Sequence, residues 1–282
     1  MSYRKLFRVE SGSKLKLSET DPAFTAKHKN KTSATADLAK YTQKLRDLQY
    51  LLYAACKGSL LICLQALDAA GKDGTINHVL GNMNPQGTRV HGFKVPSKEE
   101  AAHDFLWRIH RQAPAKGEVV IFNRSHYEDV LVARVHDLVP KSVWSERYDL
   151  INDFEKGLVA NGTQIIKFFL HISPEEQLRR FEQRLDDPAR HWKISESDYS
   201  ERELWPDYTR AYEEALSKTS TVHSPWYVIP ANHKWFRNLA VSKIVVETLE
   251  SRDMQFPAPT VDLNDIRRKY HAAEKEEEAT KQ

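Results

Sequence analysis

Residues 59–75 read SLLICLQALDAAGKDGT, and this stretch decides the fold. Its first part, residues 59–66, is short and apolar on both faces, as expected of a strand buried inside a parallel sheet. The glycine–lysine turn that follows is placed like a phosphate-binding loop, in which backbone N–H groups and a lysine surround an anion. The match is partial, because Ala66 replaces the usual first glycine and Asp73 replaces the serine or threonine after the lysine. An ordinary turn between a strand and a helix explains the same residues about equally well.

Four further short apolar runs are separated by helical patterns. They lie at residues 88–93, 118–123, 164–172 and 225–230. Apolar residues at three- and four-residue steps predict a helix over residues 36–57 that stops at Gly58. Ser97, with a glutamate three residues later, predicts the start of a helix over SKEEAAHDFLWRIHRQ, and Ser173 followed by Pro174 predicts another start. The alternation of strands and helices predicts an α/β fold with a parallel sheet of five strands.

Composition divides the chain into a central domain and two charged ends. Residues 1–34 are polar and rich in lysine, and we expect an extension with little regular structure. Residues 35–262 contain all the strand patterns and form the expected central domain. Within it, residues 174–224 lack a buried-strand pattern, so we expect helices that stand outside the sheet. Residues 263–282 are charged throughout, which predicts an exposed helix or a frayed tail.

Composition also limits the classes of function. The 282 residues are 40% hydrophobic and 29% charged, as in a globular protein with a sizeable core. A formal net charge of +3 does not by itself indicate a nucleic-acid binder. No apolar stretch is long enough to cross a bilayer, and the first residues lack the apolar segment of a secretory signal. The two cysteines make no disulfide framework, so we expect a cytoplasmic protein without membrane association.

A second polar segment, NRSHYED, follows the apolar run at 118–123. Ligands of open α/β sheets bind beyond the carboxyl ends of the strands, so this segment and the glycine–lysine loop are expected at the same edge. Arg124 is suited to phosphate oxygens, and the carboxylates of Glu128 and Asp129 could hold one or two magnesium ions with Asp68 from the first loop. The alternatives are a charged surface turn for the two adjacent acids and a helix N-cap for Asp68.

Four motifs in this chain resemble those of the family-2 polyphosphate kinases, in the same order. They are LDAAGKDGT, GFKVPSKEEAAHDFLWR, FNRSHYEDVLVARVH and EEQLRRFEQRLDDPARHWKIS, and the resemblance covers residues 35 to 260. Ala66 and Asp73 depart from a generic phosphate loop but not from this branch of the family. The resemblance implies an α/β fold of the P-loop kinase-like type, a three-layer sandwich with a central five-stranded parallel sheet and a helical lid.

The resemblance also implies roles for residues. Asp68, Lys72, Arg124, Glu128 and Asp129 are the expected catalytic residues. Asp68 and Asp129, joined by Glu128, would hold magnesium, with manganese as an alternative; Lys72 would contact phosphate, and Arg124 would stabilise the moving phosphoryl group. Many members carry aspartate at the position of Asn123, so their metal arrangement need not transfer unchanged. Further contacts to phosphate or nucleotide are expected from Ala69, Ala70, Gly71, Asp73, Gly74, Thr75, Asn123 and Arg134.

Glu128 resembles the branch that phosphorylates both nucleoside mono- and diphosphates. Our hypothesis is that this further carboxylate helps to place a metal ion when the acceptor has one phosphate fewer.

Basic residues in the region 174–224 are candidates for a lid. Arg180 and Arg184 are four positions apart and share a helix face, and Arg190 and Lys193 follow Pro188. A basic lid over the phosphate sites would exclude water and neutralise charge. The alternative is a solvated helix, because glutamates and aspartates of the same segment offset the cations.

The expected function is the transfer of the terminal phosphoryl group of inorganic polyphosphate to AMP and ADP, which yields ADP and ATP reversibly with Mg²⁺. Guanine nucleotides are alternative acceptors, and the resemblance implies a homo-oligomer, either a dimer or a tetramer. Two rivals remain: a nucleoside monophosphate kinase that uses ATP as donor, and a non-enzymatic protein that binds polyanions such as RNA. The absence of an RNA-binding motif argues against the latter, and we expect no nucleic-acid partner.

Overall fold

The computed structural model describes residues 1–281, and its centre is a sheet of five strands. In chain order these are β1 Ser59–Gln65, β2 Thr88–Gly92, β3 Val119–Asn123, β4 Thr163–His171 and β5 Trp226–Pro230. All neighbouring strands pair in parallel, in the spatial order β2-β3-β1-β4-β5. The five predicted strands and their parallel arrangement are therefore confirmed.

Helices cover both faces of this sheet. They are α1 Tyr3–Leu6, α2 Lys31–Ala55, α3 Lys72–His78, α4 Lys98–Ala101, α5 Trp107–His110, α6 Val132–Val135, α7 Lys141–Ala160, α8 Pro174–Asp186, α9 Glu196–Glu203, α10 Trp205–Thr219, α11 Lys234–Glu250 and α12 Leu263–Thr280. Alternate residues of β1 point to opposite faces: Leu60 and Ile62 pack with α2 and α11, whereas Leu61 and Cys63 pack toward α5. Because both faces are covered, every residue of β1 is buried, and the result is the predicted three-layer sandwich.

Two helix predictions need correction. The long helix α2 begins at Lys31, five residues before the predicted start, because Asn30 and Ser33 form a capping box. It stops at Cys56, which adopts the left-handed conformation with φ 50°, so Gly58 is not its cap. The helix predicted from Ser97 begins with the expected capping box but ends at Ala101.

The chain then turns before α5 begins. The carboxylate of Asp104 accepts a hydrogen bond from the backbone N–H of Leu106 at 2.9 Å, as in an Asx turn. The start at Ser173 is confirmed, since its hydroxyl accepts from the N–H of Glu176 at 3.2 Å and Pro174 follows it.

The first thirty residues have little regular structure, but they pack against the central domain. Tyr3, Phe7 and Val9 are buried. The N–H of Val9 donates to Trp226 O, and the N–H of Val228 donates to Phe7 O, both at 2.9 Å. These bonds cover the outer edge of β5, which would otherwise expose unpaired backbone groups.

The two ends of the chain differ in their contacts. No residue of α12 is buried, so the charged C-terminal segment is an exposed helix.

Among residues 1–281, no helix combines the length and the apolar character that a membrane crossing requires.

Candidate active site

The two polar loops predicted to share an edge of the sheet lie side by side. β1 and β3 are direct neighbours, with Leu64 opposite Asn123. The pairing continues past the strand ends, because the N–H of Arg124 donates to Leu64 O at 3.1 Å. The sheet order therefore brings the glycine–lysine loop against the segment that carries Arg124.

The glycine–lysine loop has the backbone of a tight, preformed turn. Gly71 caps α3 with φ 105°, and Ala69 also adopts a positive φ of 60°. Because Gly71 is the N-cap, the alternative reading of Asp68 as a helix cap is wrong. Lys72 donates from Nζ to Ala66 O at 3.0 Å, and burial lowers the pKa of its ammonium group. This lysine is held at the turn, with its charged group folded back over the loop.

Two residues expected to touch phosphate have side chains directed elsewhere. Thr75 is fully buried and donates from Oγ1 to Gly71 O at 3.1 Å, which ties the first turn of α3 to the loop. Ala70 is fully buried as well. Both side chains therefore pack inside the protein and support the loop.

Arg124 bridges the two loops. Its guanidinium lies 3.3 Å from a carboxylate oxygen of Asp68 and 3.3 Å from one of Glu128. Burial alone would lower the pKa of Arg124, but these two carboxylates outweigh burial and raise it. The residue adopts φ 63°, a conformation that is costly for a side chain other than glycine.

Asp129 points toward a different pair of arginines. Its carboxylate lies 3.8 Å from Arg108 and 3.4 Å from Arg147. Burial raises the pKa of Asp129, partly opposed by these two cations. Its Oδ2 atom is buried without a hydrogen-bond partner among the described residues. This oxygen lies 3.8 Å from a terminal nitrogen of Arg108, so the carboxylate is directed at the two arginines and has one acceptor without a hydrogen bond.

A large cleft opens beyond the two loops. Its volume is about 890 Å³, and it is lined by the loop residues Asp68, Ala69, Gly71, Lys72, Asp73 and Gly74 together with Asn123 and Arg124. Ten lysines and arginines line it, against two aspartates: Lys31, Lys72, Lys94, Arg124, Arg180, Arg184, Arg190, Lys193, Lys234 and Arg237 face Asp68 and Asp73. Such an excess of cations in one concave surface favours a strongly negative ligand.

The helices after β4 form one wall of this cleft, as the lid hypothesis requires. Arg184, Arg190 and Lys193 line it. Asp73 joins this wall to the sheet, since its carboxylate accepts from Asn123 Nδ2 at 2.9 Å and lies 3.7 Å from Lys193 Nζ. The residue that replaces the usual serine or threonine thus connects α3, β3 and the lid.

A comparison with known families shows to which family this chain belongs. The family model described as Polyphosphate kinase 2 (PPK2) matches residues 28–257 of the chain. The chain belongs to this family. The identification made from the four motifs is confirmed, and the protein is a polyphosphate kinase.

Similar proteins match this polyphosphate kinase over nearly its whole length. An AMP/ADP-polyphosphate phosphotransferase of Meiothermus ruber is 51% identical over 256 residues, which cover 90% of this chain and 96% of the relative. An ADP-polyphosphate phosphotransferase of Rhodopseudomonas palustris is 46% identical and covers 91% of this chain and 93% of the relative. The crystal structure of Polyphosphate Kinase 2 from Arthrobacter aurescens TC1 superposes with a TM-score of 0.93 at 42% identity, over 96% of this chain and 97% of that one.

Two residues expected at the phosphates of this polyphosphate kinase have structural contacts instead. Arg180 is buried, and its five N–H donors meet Glu176 and the backbone carbonyls of Ala69, Ala70, Ala231 and Asn232. It therefore clamps the glycine–lysine loop to the end of β5. Arg134 lies outside the cleft, where it pairs with Glu214 and stacks on Trp144 at 4.4 Å.

Sequence reasoning missed three cations of the cleft: Lys31, Lys234 and Arg237. Lys234 and Arg237 begin the helix directly after β5, at the same edge of the sheet as the two predicted loops. The rule that ligands bind beyond strand ends would have found them if it had been applied to β5. Lys31 gave no such signal, because it begins a helix that the pattern placed further along.

Proposed function

We propose that this polyphosphate kinase transfers the terminal phosphoryl group of inorganic polyphosphate to AMP and to ADP, reversibly and with Mg²⁺, or alternatively Mn²⁺, as cofactor. The observation that carries the proposal is the cleft with ten cations and two carboxylates, which leads to the two loops that hold Lys72 and Arg124. A polyanion with one negative charge on each internal phosphate matches this surface. Most of the donor's binding energy is then available for positioning its terminal group.

In this mechanism the protein positions charges and forms no covalent bond with phosphate. Phosphoryl transfer passes through a loose transition state whose charge spreads over the transferred oxygens. Lys72, held at the loop, and Arg124, at the junction of the two loops, supply donors for those oxygens. Lys193, Arg184 and Arg190 would neutralise the chain further out, and the lid would exclude water that could hydrolyse the donor.

The carboxylates fit a magnesium ion only together with substrate oxygens. Within residues 1–281, no group of three histidines, cysteines or acids is close enough to hold a metal alone. Magnesium typically binds through one or two carboxylates and completes its shell with phosphate oxygens and water. The ion would be held by Asp68 and Glu128, which pair with Arg124, and by Asp129, whose Oδ2 accepts no hydrogen bond among the described residues. When bound, the ion would neutralise charge on the phosphates.

The decisive experiment supplies purified protein with Mg²⁺, long-chain polyphosphate and either AMP or ADP, and separates the nucleotides by chromatography. We expect ADP and ATP from AMP, and ATP from ADP. A nucleoside monophosphate kinase would instead need ATP as donor, and a polyanion-binding protein would form no new nucleotide. GMP and GDP in the same assay test guanine acceptors.

Glu128 is proposed to be the residue that admits AMP. Its carboxylate lies beside Arg124 at the junction of the two loops, where a shorter acceptor leaves one phosphate fewer to bind a metal. In Glu128→Asn we expect kcat/KM for AMP to fall about tenfold more than that for ADP, since one metal ligand is worth at least ~1.4 kcal/mol here. Glu146→Asn, an exposed glutamate on α7, is the matched control. Equal losses for both acceptors would contradict this role.

The proposal also includes a homo-oligomeric assembly and a cytoplasmic location. A dimer or tetramer is tested by light scattering of the purified chain, and a cytoplasmic location by cell fractionation.

A further inference from the structure

Arg237 is a buried arginine directly behind the glycine–lysine loop. Its side chain is 2% exposed, yet it forms part of the cleft wall. Nη1 donates to Ala70 O at 3.2 Å, and Nε and Nη2 donate to Oδ1 of Asn238 at 3.1 and 2.8 Å. A guanidinium has five N–H groups, so these contacts leave one free on each terminal nitrogen.

No carboxylate neutralises this charge. Among the described residues, Arg237 has no salt bridge, whereas Arg124 has two carboxylate partners and Arg180 has Glu176. The charged group that perturbs the pKa of Arg237 is Arg180, which is itself a cation. Burial, followed by repulsion from Arg180, lowers the pKa of Arg237 to about 9. A buried cation without a carboxylate partner is costly, which favours a role in binding an anion.

The glycines of the loop leave room for this guanidinium. A Cβ atom on Gly71 would lie 1.9 Å from Nη1 of Arg237, and one on Gly74 would lie 3.1 Å from Nη2. The arginine thus occupies the space that side chains at these two positions would need. Its free N–H groups lie against the same turn whose backbone is shaped to receive phosphate.

We propose that Arg237 binds the phosphate chain of the polyanionic donor. The negative charge of this chain takes the place of the carboxylate partner that the arginine lacks among the described residues. The proposal rests on the proposed function and adds a binding residue to it. In the free protein the guanidinium is held by neutral acceptors alone; in the complex its two free N–H groups donate to phosphate oxygens. Arg237 therefore contributes to donor binding and not to binding of the acceptor nucleoside.

The test compares Arg237→Met and Arg237→Lys with the unchanged protein. The first readout is the rise in melting temperature caused by long-chain polyphosphate without nucleotide. The second is the KM for polyphosphate beside the KM for ADP. For Arg237→Met we expect less than half of the polyphosphate-induced rise, and a KM for polyphosphate at least about tenfold higher, the value of one charge-assisted hydrogen bond. The KM for ADP should change less than about twofold, because in this proposal Arg237 does not contact the nucleotide.

Arg252→Met is the matched control. Arg252 is also partly buried without a carboxylate partner, and it lies at the opposite end of the sheet against Ser59 O and Gly162 O. Its replacement should leave the KM for polyphosphate unchanged. A loss that also occurs in this control would mark a general effect of removing a cation and would overturn the assignment.

The outcomes separate this inference from the proposed function. If the unchanged protein neither gains stability from polyphosphate nor makes ATP from it, the proposed function fails. If it does both, and Arg237→Met keeps the same shift and KM while its own melting temperature falls, Arg237 is only structural and the inference is wrong. Should the methionine variant not fold, Arg237→Lys decides: it keeps a positive charge but loses the fork, so an unchanged KM for polyphosphate would refute the inference.

Discussion

Lys167→Met tests a buried ion pair that supports the second polar segment, NRSHYED. Lys167 lies in β4 and is fully buried, with Nζ 2.6 Å from Glu155 Oε2, 2.7 Å from Thr219 O and 2.9 Å from the hydroxyl of Tyr127. Glu155, on α7, is also fully buried, and it accepts hydrogen bonds from Tyr127 and Ser224. Tyr127 belongs to the turn between Arg124 and Asp129, so the pair anchors the second polar loop from behind.

Methionine has about the volume of lysine, so the substitution removes the charge with little cavity formation. Glu155 is then a buried carboxylate that has lost its lysine partner, and breaking a buried pair in this way costs about 3–5 kcal/mol. For a chain of this size that loss corresponds to a fall in melting temperature of roughly 10 °C. Urea unfolding followed by circular dichroism measures the change in free energy, and the slope against urea shows whether the folded state has kept its compactness.

The surface provides a control pair with the same N···O distance. Lys44 and Glu250 are also 2.6 Å apart, but each side chain is 44% exposed, so Lys44→Met should cost less than about 1 kcal/mol. The double variant Lys167→Met with Glu155→Leu should recover much of the lost stability, because it removes both buried charges. The reasoning is refuted if Lys167→Met costs no more than Lys44→Met, or if the double variant is less stable than Lys167→Met alone.

Three further outcomes follow from the same structure. Burial raises the pKa of Glu155, but Lys167 and His126 outweigh burial and lower it from 4.5 to about 2, so its stabilising effect is complete above pH 4.5 and is lost as the pH falls toward 2. Replacing both Glu155 and Lys167 should flatten the pH dependence of the free energy of unfolding in that window, and an unchanged slope would count against the pairing. Arg124→Lys should lower kcat about 10²–10³-fold, because one cation cannot reproduce a forked contact to the moving phosphoryl group; initial rates that stay within about twofold would remove Arg124 from the chemistry. Mn²⁺, followed by electron paramagnetic resonance, should bind the free protein weakly and at least about tenfold more tightly once polyphosphate is added, since the carboxylates alone give an incomplete shell; equal affinity in both states would contradict the shared site.

The five strands and their parallel arrangement were the part of the fold that the sequence predicted best, and the reason is physical. A strand buried on both faces must be apolar throughout, as residues 60–64 are, so its pattern is hard to confuse with that of an exposed element. Helix ends were less certain, because they depend on single side chains. Asn30 with Ser33 caps α2 in a form that the usual serine–glutamate signature does not describe, and Asp104 interrupts a helical pattern by one local hydrogen bond.

The site was predicted in part, for a related reason. The rule for strand ends placed the segments of Asp68 and Arg124 at the same edge of the sheet, where the two side chains lie 3.3 Å apart, while the roles of these residues stay predictions. The sequence could not show which arginines already use their N–H donors in hydrogen bonds within the protein. Arg180 looked available on its helix, but its donors are used by backbone carbonyls, whereas Arg237, inside an apolar helix, retains free donors and has no acid. Only the three-dimensional contacts distinguish a clamp from a binding group.

In the resting site Arg124 is neutralised by two carboxylates, and in the proposed mechanism this pairing would make the binding of donor and metal depend on each other. Arg124 is held by Asp68 and Glu128 at 3.3 Å, so a phosphate chain that engages this arginine must draw it away from both carboxylates. The two carboxylates released in this exchange would be left as adjacent negative charges, which is unfavourable unless a cation joins them. In the proposed mechanism, donor binding would leave Asp68 and Glu128 as the residues that hold a divalent ion, which would neutralise their charge. Arg237, which has no carboxylate to give up, can meet the incoming chain before this exchange begins.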